Sequence, residues 1–179
     1  HGDMFISNIN AAKKDLSNGF SSIFGVSVQN PESFGVIEFD DKNNIIKISE
    51  KPDFAKSNII VSGLYFYTND VIEYAKNLKP SKRGEKEITD INNFYLATNK
   101  LKLNLLDDST AWIDTGTYSS LIKASKYFEN IEKKSGIKAA CIEEIAYNMG
   151  YIDISQLNKI ANSMHNSEYG NYLLNLTLK

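Results

Sequence analysis

The chain has 179 residues, of which 42% are hydrophobic and 23% are charged, and its formal net charge is −2. This composition is typical of a globular protein with one sizeable core, and the charge gives no electrostatic reason to bind nucleic acid or an anionic membrane. Cys141 is the only cysteine, which excludes an intrachain disulfide and, with only two histidines, argues against a zinc site. No apolar run is long enough to span a bilayer, so we expect a cytoplasmic protein.

Strand and helix patterns alternate along the first 136 residues. Helical stretches repeat apolar side chains every three or four residues, whereas strand stretches alternate or are continuously apolar. We therefore predict an α/β fold. The predicted elements, in chain order, are a helix at 4–16, strands at 20–28, 35–39, 45–48 and 59–67, helices at 71–78 and 87–98, strands at 100–106 and 111–113, and a helix at 118–134.

The composition changes after Gly136, where the strand pattern ends. Three short helices are predicted at 143–149, 155–161 and 169–178. We predict that residues 1–136 form an incomplete α/β domain and that residues 137–179 form a C-terminal helical appendage. Such appendages commonly pack between subunits, which favours a homo-oligomer. Because the chain begins at His1 without an initiator methionine, directly before a helical pattern, we expect it to be a fragment of a longer polypeptide.

Charged residues stand at the predicted strand ends or in the loops beside them: Glu50, Lys51, Arg83 and Asp114. Ligands of open α/β sheets bind just beyond such ends. A glutamate can accept sugar hydroxyls, Lys and Arg can bind phosphate, and an aspartate is a hard oxygen ligand for Mg²⁺. The alternative is that Asp114 only caps the following helix and that the other three are solvated.

Local signals around these residues lead to further expectations. Pro52 is expected to hold Lys51 in extended geometry, and Gly63 suggests a close backbone approach or a ligand against the sheet. Four charged neighbours of Arg83 are predicted to be simply solvated: Lys82, Glu85, Lys86 and Glu87.

Several blocks of the chain together resemble the bacterial sugar nucleotidyltransferases, and among them the glucose-1-phosphate thymidylyltransferases. The blocks are residues 34–40 (FGVIEFD), 50–52 (EKP), 61–67 (VSGLYFY), 83–92 (RGEKEITDIN) and 112–117 (WIDTGT). The resemblance extends in order over the whole chain. It implies a partial Rossmann-like mixed sheet and a reaction in which the phosphate of glucose 1-phosphate attacks the α-phosphorus of dTTP in line, with pyrophosphate leaving.

The resemblance also implies roles for individual residues. Gly35 and Val61 would line the glucosyl pocket, and Glu50 would hold sugar hydroxyls. Lys51 and Arg83 would hold the phosphate of glucose 1-phosphate and serve the catalysis, which rests on positioning and charge neutralisation.

Asp114 would be one of two aspartates that hold the catalytic Mg²⁺, with Trp112 packed behind it. The family's glycine-rich nucleotide loop and its other metal-binding aspartate match no stretch of this chain, so we expect the chain alone to be inactive. The family also implies a homo-tetramer. Asn148 stands where its regulatory nucleotide site has an arginine, so we do not predict that site here.

Two alternatives stay open. The chain could be a non-catalytic module that binds sugar phosphates or pairs with a full-length subunit, or it could belong to an enzyme that uses UTP or CTP. In a fragment, we expect apolar sheet edges to be exposed at residues 20–28 and 59–67, with self-association or lower stability as the result.

Overall fold

The computed structural model describes residues 2–107 and 110–178, with side chains from residue 8 onward. Backbone contacts divide the chain into two compact units, His1–Trp112 and Ile113–Lys179. The sequence placed the change of domain after residue 136, whereas this division groups the long helix beginning at Tyr118 with the C-terminal helices.

The first unit is an α/β structure built on one mixed sheet. Five strands lie in the order β3-β2-β4-β1-β5, with β1 parallel to β5 and the other neighbours antiparallel. The predicted α/β class and mixed sheet are therefore confirmed. The elements are α1 (Gly2–Ser17), β1 (Ser21–Ser27), β2 (Gly35–Phe39), β3 (Ile45–Glu50), β4 (Ile59–Phe66), α2 (Val71–Asn77), α3 (Ile88–Ala97) and β5 (Leu101–Leu105).

Apolar side chains cover the middle of the sheet in two clusters. One has Ile23, Ile37 and Ile48 at its centre, and the other has Val26, Val36 and Ile60. Burying each such side chain contributes about 1.5–3 kcal/mol. Because β1 supplies residues to both clusters, it is buried at every position from Ser21 to Val26.

The expectation of exposed edges at residues 20–28 and 59–67 is wrong. Those stretches form β1 and β4, which lie inside the sheet, whereas β3 and β5 are its edge strands. β4 pairs with both β2 and β1, and β1 pairs on its other side with β5, so each of the two stretches has a neighbour on both sides.

Residues 111–113 do not form the predicted strand. Trp112 contacts the sheet through its side chain instead: its indole N–H donates to the Ser62 carbonyl at 2.9 Å, and its ring meets Phe34 edge-on at 5.2 Å between centroids. Side-chain contacts therefore take the place of the backbone ladder that the apolar pattern suggested.

Gly63 lies in a β-bulge. The register of β1 with β4 shifts between Ile23↔Tyr65 and Gly25↔Val61, and Gly63 has φ +89° inside the inserted stretch. Within the described residues, and leaving out its two chain neighbours, no heavy atom lies within 4 Å of where its Cβ would be, so the predicted close backbone approach is wrong. The glycine serves the left-handed backbone of the bulge.

The second unit consists of helices. Thr117 begins the first of them with a capping box to Ser120, and Gly136 ends it at φ 69°. Leu157, Leu173 and neighbouring apolar residues form a separate small core. No described helix is both long and apolar enough to cross a membrane. The helices are α4 (Tyr118–Ser135), α5 (Ile142–Asn148), α6 (Ile154–Ser163) and α7 (Glu168–Leu176).

Candidate active site

The end of β3 and the start of β2 bring a carboxylate beside an open stretch of backbone. Glu50 is the last residue of β3 and is paired with Gly35, the first of β2. The Thr89 hydroxyl, from the first turn of α3, donates to Glu50 Oε2 at 2.5 Å. A Cβ at Gly35 would lie 3.3 Å from Thr89 Oγ1 and 3.4 Å from Glu50 Oε2. Glycine therefore lets the Thr89 and Glu50 side chains lie close to its backbone, where a larger residue would crowd their hydrogen bond.

Arg83 lies in the same cluster, among acidic side chains. Its Nη1 is 3.9 Å from Glu50 Oε1 and 3.8 Å from Glu87 Oε1, and its Nη2 is 3.2 Å from Glu85 Oε2. Two of the predicted site residues, Arg83 and Glu50, are thus brought together. Three carboxylates around one guanidinium leave this group net negative, so an anionic ligand needs additional positive charge nearby.

Glu87 is not the solvated residue that we predicted. Its side chain is only 13% exposed, and it accepts a hydrogen bond from the Ser81 hydroxyl at 2.8 Å. The reason is that the loop before α3 closes on itself, with Ser81 N–H donating to the Glu85 carbonyl at 2.8 Å. The loop thereby turns Glu87 toward Arg83.

Lys51 departs from the extended geometry expected before Pro52. Its φ is +42°, in the left-handed region, and its N–H donates to the Phe34 carbonyl at 3.0 Å. This bond continues the pairing of β2 with β3 beyond Glu50 and turns the chain sharply. A non-glycine residue in such a conformation costs about 1–3 kcal/mol and is typical of functional sites. The Lys51 residue is exposed.

Val61 is placed within the sheet. It lies on β4 opposite Gly25 and packs against the cluster formed around Ile23. A residue of the same strand that we did not select, Tyr65, has its pKa raised by burial and by the negative charge of Glu50.

Thr89 is the other residue that we did not select. It is 4% exposed and makes the shortest polar contact with Glu50 described above. It stood within the block 83–92, but a threonine at the start of a helix was explained equally well by helix initiation.

Asp114 belongs to the second compact unit. Its exposed carboxylate accepts a hydrogen bond from Gly116 N–H at 3.2 Å, and Thr117, not Asp114, caps α4. The capping alternative for Asp114 is therefore wrong. In the described part of the chain no three His, Cys, Asp or Glu side chains are grouped to hold a metal. A single carboxylate still fits Mg²⁺, which commonly takes one or two protein carboxylates together with substrate phosphates.

A mixed α/β sheet with a carboxylate and an arginine at a strand end is consistent with a nucleotide-transferring enzyme. The family model described as "Nucleotidyl transferase" matches residues 2–131, and the chain belongs to this family.

The relatives refine this class. The chain is 46% identical over 163 residues to a glucose-1-phosphate thymidylyltransferase of Mycobacterium tuberculosis, covering 91% of this chain and 56% of that protein. It is 42% identical over 159 residues to the same enzyme of Neisseria meningitidis, covering 89% and 55%. The predicted resemblance is confirmed, and the chain spans about half the length of these relatives.

A solved structure is similar as well. A Bacillus anthracis protein assigned as a glucose-1-phosphate thymidylyltransferase, crystallised with sucrose, superimposes with a TM-score of 0.58 at 41% identity. The match covers 66% of this chain and 48% of that one.

Proposed function

We propose that this chain is the sugar-phosphate-binding part of a glucose-1-phosphate thymidylyltransferase. The parent enzyme would form dTDP-glucose and pyrophosphate from dTTP and glucose 1-phosphate. The observation that carries the proposal is the strand-end cluster, in which Thr89 holds Glu50 beside Gly35 and Arg83 lies 3.9 Å from the same carboxylate. The thymidylyltransferase relatives support the choice of substrate class.

Glu50 would recognise the sugar. An ionised carboxylate only accepts hydrogen bonds, and the Thr89 hydroxyl occupies Oε2. Oε1 then accepts from sugar hydroxyls, and Gly35, paired with Glu50 in the sheet, would line the sugar through its backbone. Because Thr89 already holds the Glu50 side chain in one rotamer, sugar binding costs less side-chain entropy.

Arg83 and Lys51 would bind the phosphate. Arg83 is 44% exposed and its contacts with Glu50 and Glu87 are long, so its planar donors can exchange these partners for phosphate oxygens. Lys51, which follows Glu50 in the chain and is exposed, would add a second cation to offset the acidic surroundings of Arg83. Both cations would keep the phosphate oxygen in line for its attack on the α-phosphorus.

Asp114 would supply one oxygen to Mg²⁺, completed by phosphate oxygens of the substrates. When bound, the metal neutralises charge that develops on the phosphates. The hydrogen bond from Gly116 N–H orients the Asp114 carboxylate through one oxygen, which leaves the other oxygen for the cation. We further propose dTTP as the nucleotide, a homo-oligomeric assembly and a cytoplasmic location for the parent protein.

The proposal is tested by titrating the chain with glucose 1-phosphate in a calorimeter. We expect Glu50→Gln to lose affinity for glucose 1-phosphate while keeping or gaining affinity for inorganic phosphate, and Arg83→Ala to lose both. The control is Glu73→Gln, which neutralises a surface carboxylate, 67% exposed, that pairs with Lys76 elsewhere. Absence of binding by the wild-type chain would contradict the proposal.

Activity is a separate measurement. We expect no pyrophosphate release from dTTP, glucose 1-phosphate and Mg²⁺ by this chain alone, because no part of it matches the family's nucleotide loop. Measurable dTDP-glucose formation would contradict that expectation.

A further inference from the structure

A side-chain amide of α3 binds the outer edge of β3. Asn93 Oδ1 accepts the Ile48 N–H at 2.9 Å, and Asn93 Nδ2 donates to the Ile48 carbonyl at 2.7 Å. In an antiparallel strand, the N–H and C=O of one residue point to the same side, and here that side faces away from β2. Asn93 therefore pairs with Ile48 as a neighbouring strand would, through one side chain.

A second bond joins the same two elements, at Thr89 and Glu50. Thr89 and Asn93 are four residues apart on α3, a rise of about 6 Å at 1.5 Å per residue. Ile48 and Glu50 are two residues apart on β3, about 6.7 Å at 3.3–3.4 Å per residue. The two spacings nearly match, so one helix face contacts one strand edge at two points that are in register.

We propose that Asn93 is a positioning residue for Glu50. Its two hydrogen bonds to Ile48 fix the position of α3 along β3, and this position brings the Thr89 hydroxyl to Glu50 Oε2. Asn93 itself does not contact Glu50. The inference rests on the proposed function, because the purpose of the arrangement is a carboxylate fixed to receive sugar hydroxyls.

Removing the Asn93 amide should weaken the binding of the sugar and leave the binding of phosphate unchanged. In Asn93→Ala the helix keeps its helix-forming backbone but loses both bonds to Ile48, so Thr89 no longer holds Glu50 in one rotamer. Fixing that side chain again on binding should weaken affinity for glucose 1-phosphate about fivefold to tenfold. Affinity for inorganic phosphate, which Glu50 does not attract, should stay the same.

The positioning is measured without ligand by NMR of the full chain. We expect nuclear Overhauser contacts between the Thr89 methyl and the Glu50 methylene protons in the wild type, and their loss in Asn93→Ala. If Asn93→Ala does not fold, Asn93→Asp gives the same comparison, since it keeps the acceptor toward Ile48 N–H and loses the donor.

Ser57→Ala is the matched control. The Ser57 side chain also bridges strand backbone, donating to the Ile37 carbonyl at 2.6 Å and accepting Ile59 N–H at 3.1 Å. It has no link to α3 in these bonds, so its loss should lower stability without changing the Thr89–Glu50 contacts or the affinity.

A double-mutant cycle separates positioning from a general loss of structure. If Asn93 acts through Glu50, Asn93→Ala should have no further effect on glucose 1-phosphate affinity in a Glu50→Gln background. An equal loss in both backgrounds, or Overhauser contacts that persist in Asn93→Ala, overturns the proposal. If the wild-type chain does not bind glucose 1-phosphate, the proposed function fails, and the ligand-free contacts still decide the role of Asn93.

Discussion

Replacing Gly35 with alanine would test the strand-end cluster most directly. The new methyl group would lie 3.3 Å from Thr89 Oγ1 and 3.4 Å from Glu50 Oε2, the two atoms of a 2.5 Å hydrogen bond. The contact with Thr89 Oγ1 is tight for carbon against oxygen, so the Thr89 hydroxyl must move by a few tenths of an ångström, which disturbs its bond to Glu50.

The effect on stability and the effect on binding should differ. Alanine in a strand stabilises the folded protein by about 0.5–1 kcal/mol over glycine, because it lowers the conformational entropy of the unfolded chain. This gain offsets part of the free-energy cost of disturbing Thr89 and Glu50. We expect the free energy of unfolding to change by less than about 1 kcal/mol. Affinity for glucose 1-phosphate should fall about tenfold, or about 1.4 kcal/mol, because the methyl group disturbs the Thr89 hydroxyl that holds the Glu50 carboxylate in place.

Urea unfolding and calorimetric titration measure the two quantities on the same protein. Gly25→Ala is the control, since its Cβ would lie 3.0 Å from side chains of Ile59, Leu103 and Leu105. Overpacking there should cost about 1–3 kcal/mol of stability and leave the affinity of the folded protein unchanged. Wild-type affinity in Gly35→Ala would refute the assignment of Gly35 and Glu50 to a sugar site.

Three further outcomes are expected. Glu85→Gln removes the carboxylate 3.2 Å from Arg83 Nη2 and should raise the affinity for inorganic phosphate about twofold to fivefold, measured by calorimetry; a decrease would contradict the role of Arg83. Thr117→Ala removes the capping box of α4 and should destabilise the chain by about 1 kcal/mol in urea unfolding, whereas Thr117→Ser should not. The hydrogen bond from Lys56 lowers the pKa of Glu38 below 4.5. The ionised Glu38 therefore stabilises the folded chain fully at neutral pH, and this contribution is lost as the pH falls through the lowered pKa. Glu38→Gln should therefore flatten the acid side of a plot of Tm against pH, and an unchanged acid side would contradict this sign.

The sheet could be predicted from the sequence because periodicity reports burial directly. The aromatic and β-branched residues around β1 and the alternation of β5 correspond to an interior strand and an edge strand. The strand predicted at residues 111–113 was wrong for the same reason. Three apolar residues indicate burial, but one indole that donates to the Ser62 carbonyl can bury such a stretch without a strand.

The candidate site was predictable in its residue types but not in its arrangement. Glu50 and Arg83 were selected as a carboxylate and a cation near strand ends, and the structure brings them to 3.9 Å. The contacts of Thr89 and Asn93 depend on how α3 lies against β3, which is a tertiary relation that helical period alone does not specify. Lys51 shows a similar limit, since the preference before proline was overridden by a hydrogen bond to Phe34.

The parallel pairing of β1 with β5 has a consequence for synthesis of the chain. Ser21 pairs with Leu101. The ribosome therefore synthesises β1, an interior strand, about 80 residues before it synthesises the parallel partner β5. At 5–20 residues per second on the ribosome, that interval is about 4–16 s, whereas the β2–β3 hairpin can close within about 1–10 μs of emerging. During the interval one side of β1 offers its unpaired backbone to other chains, and the interval ends only when residues 101–105 leave the ribosome.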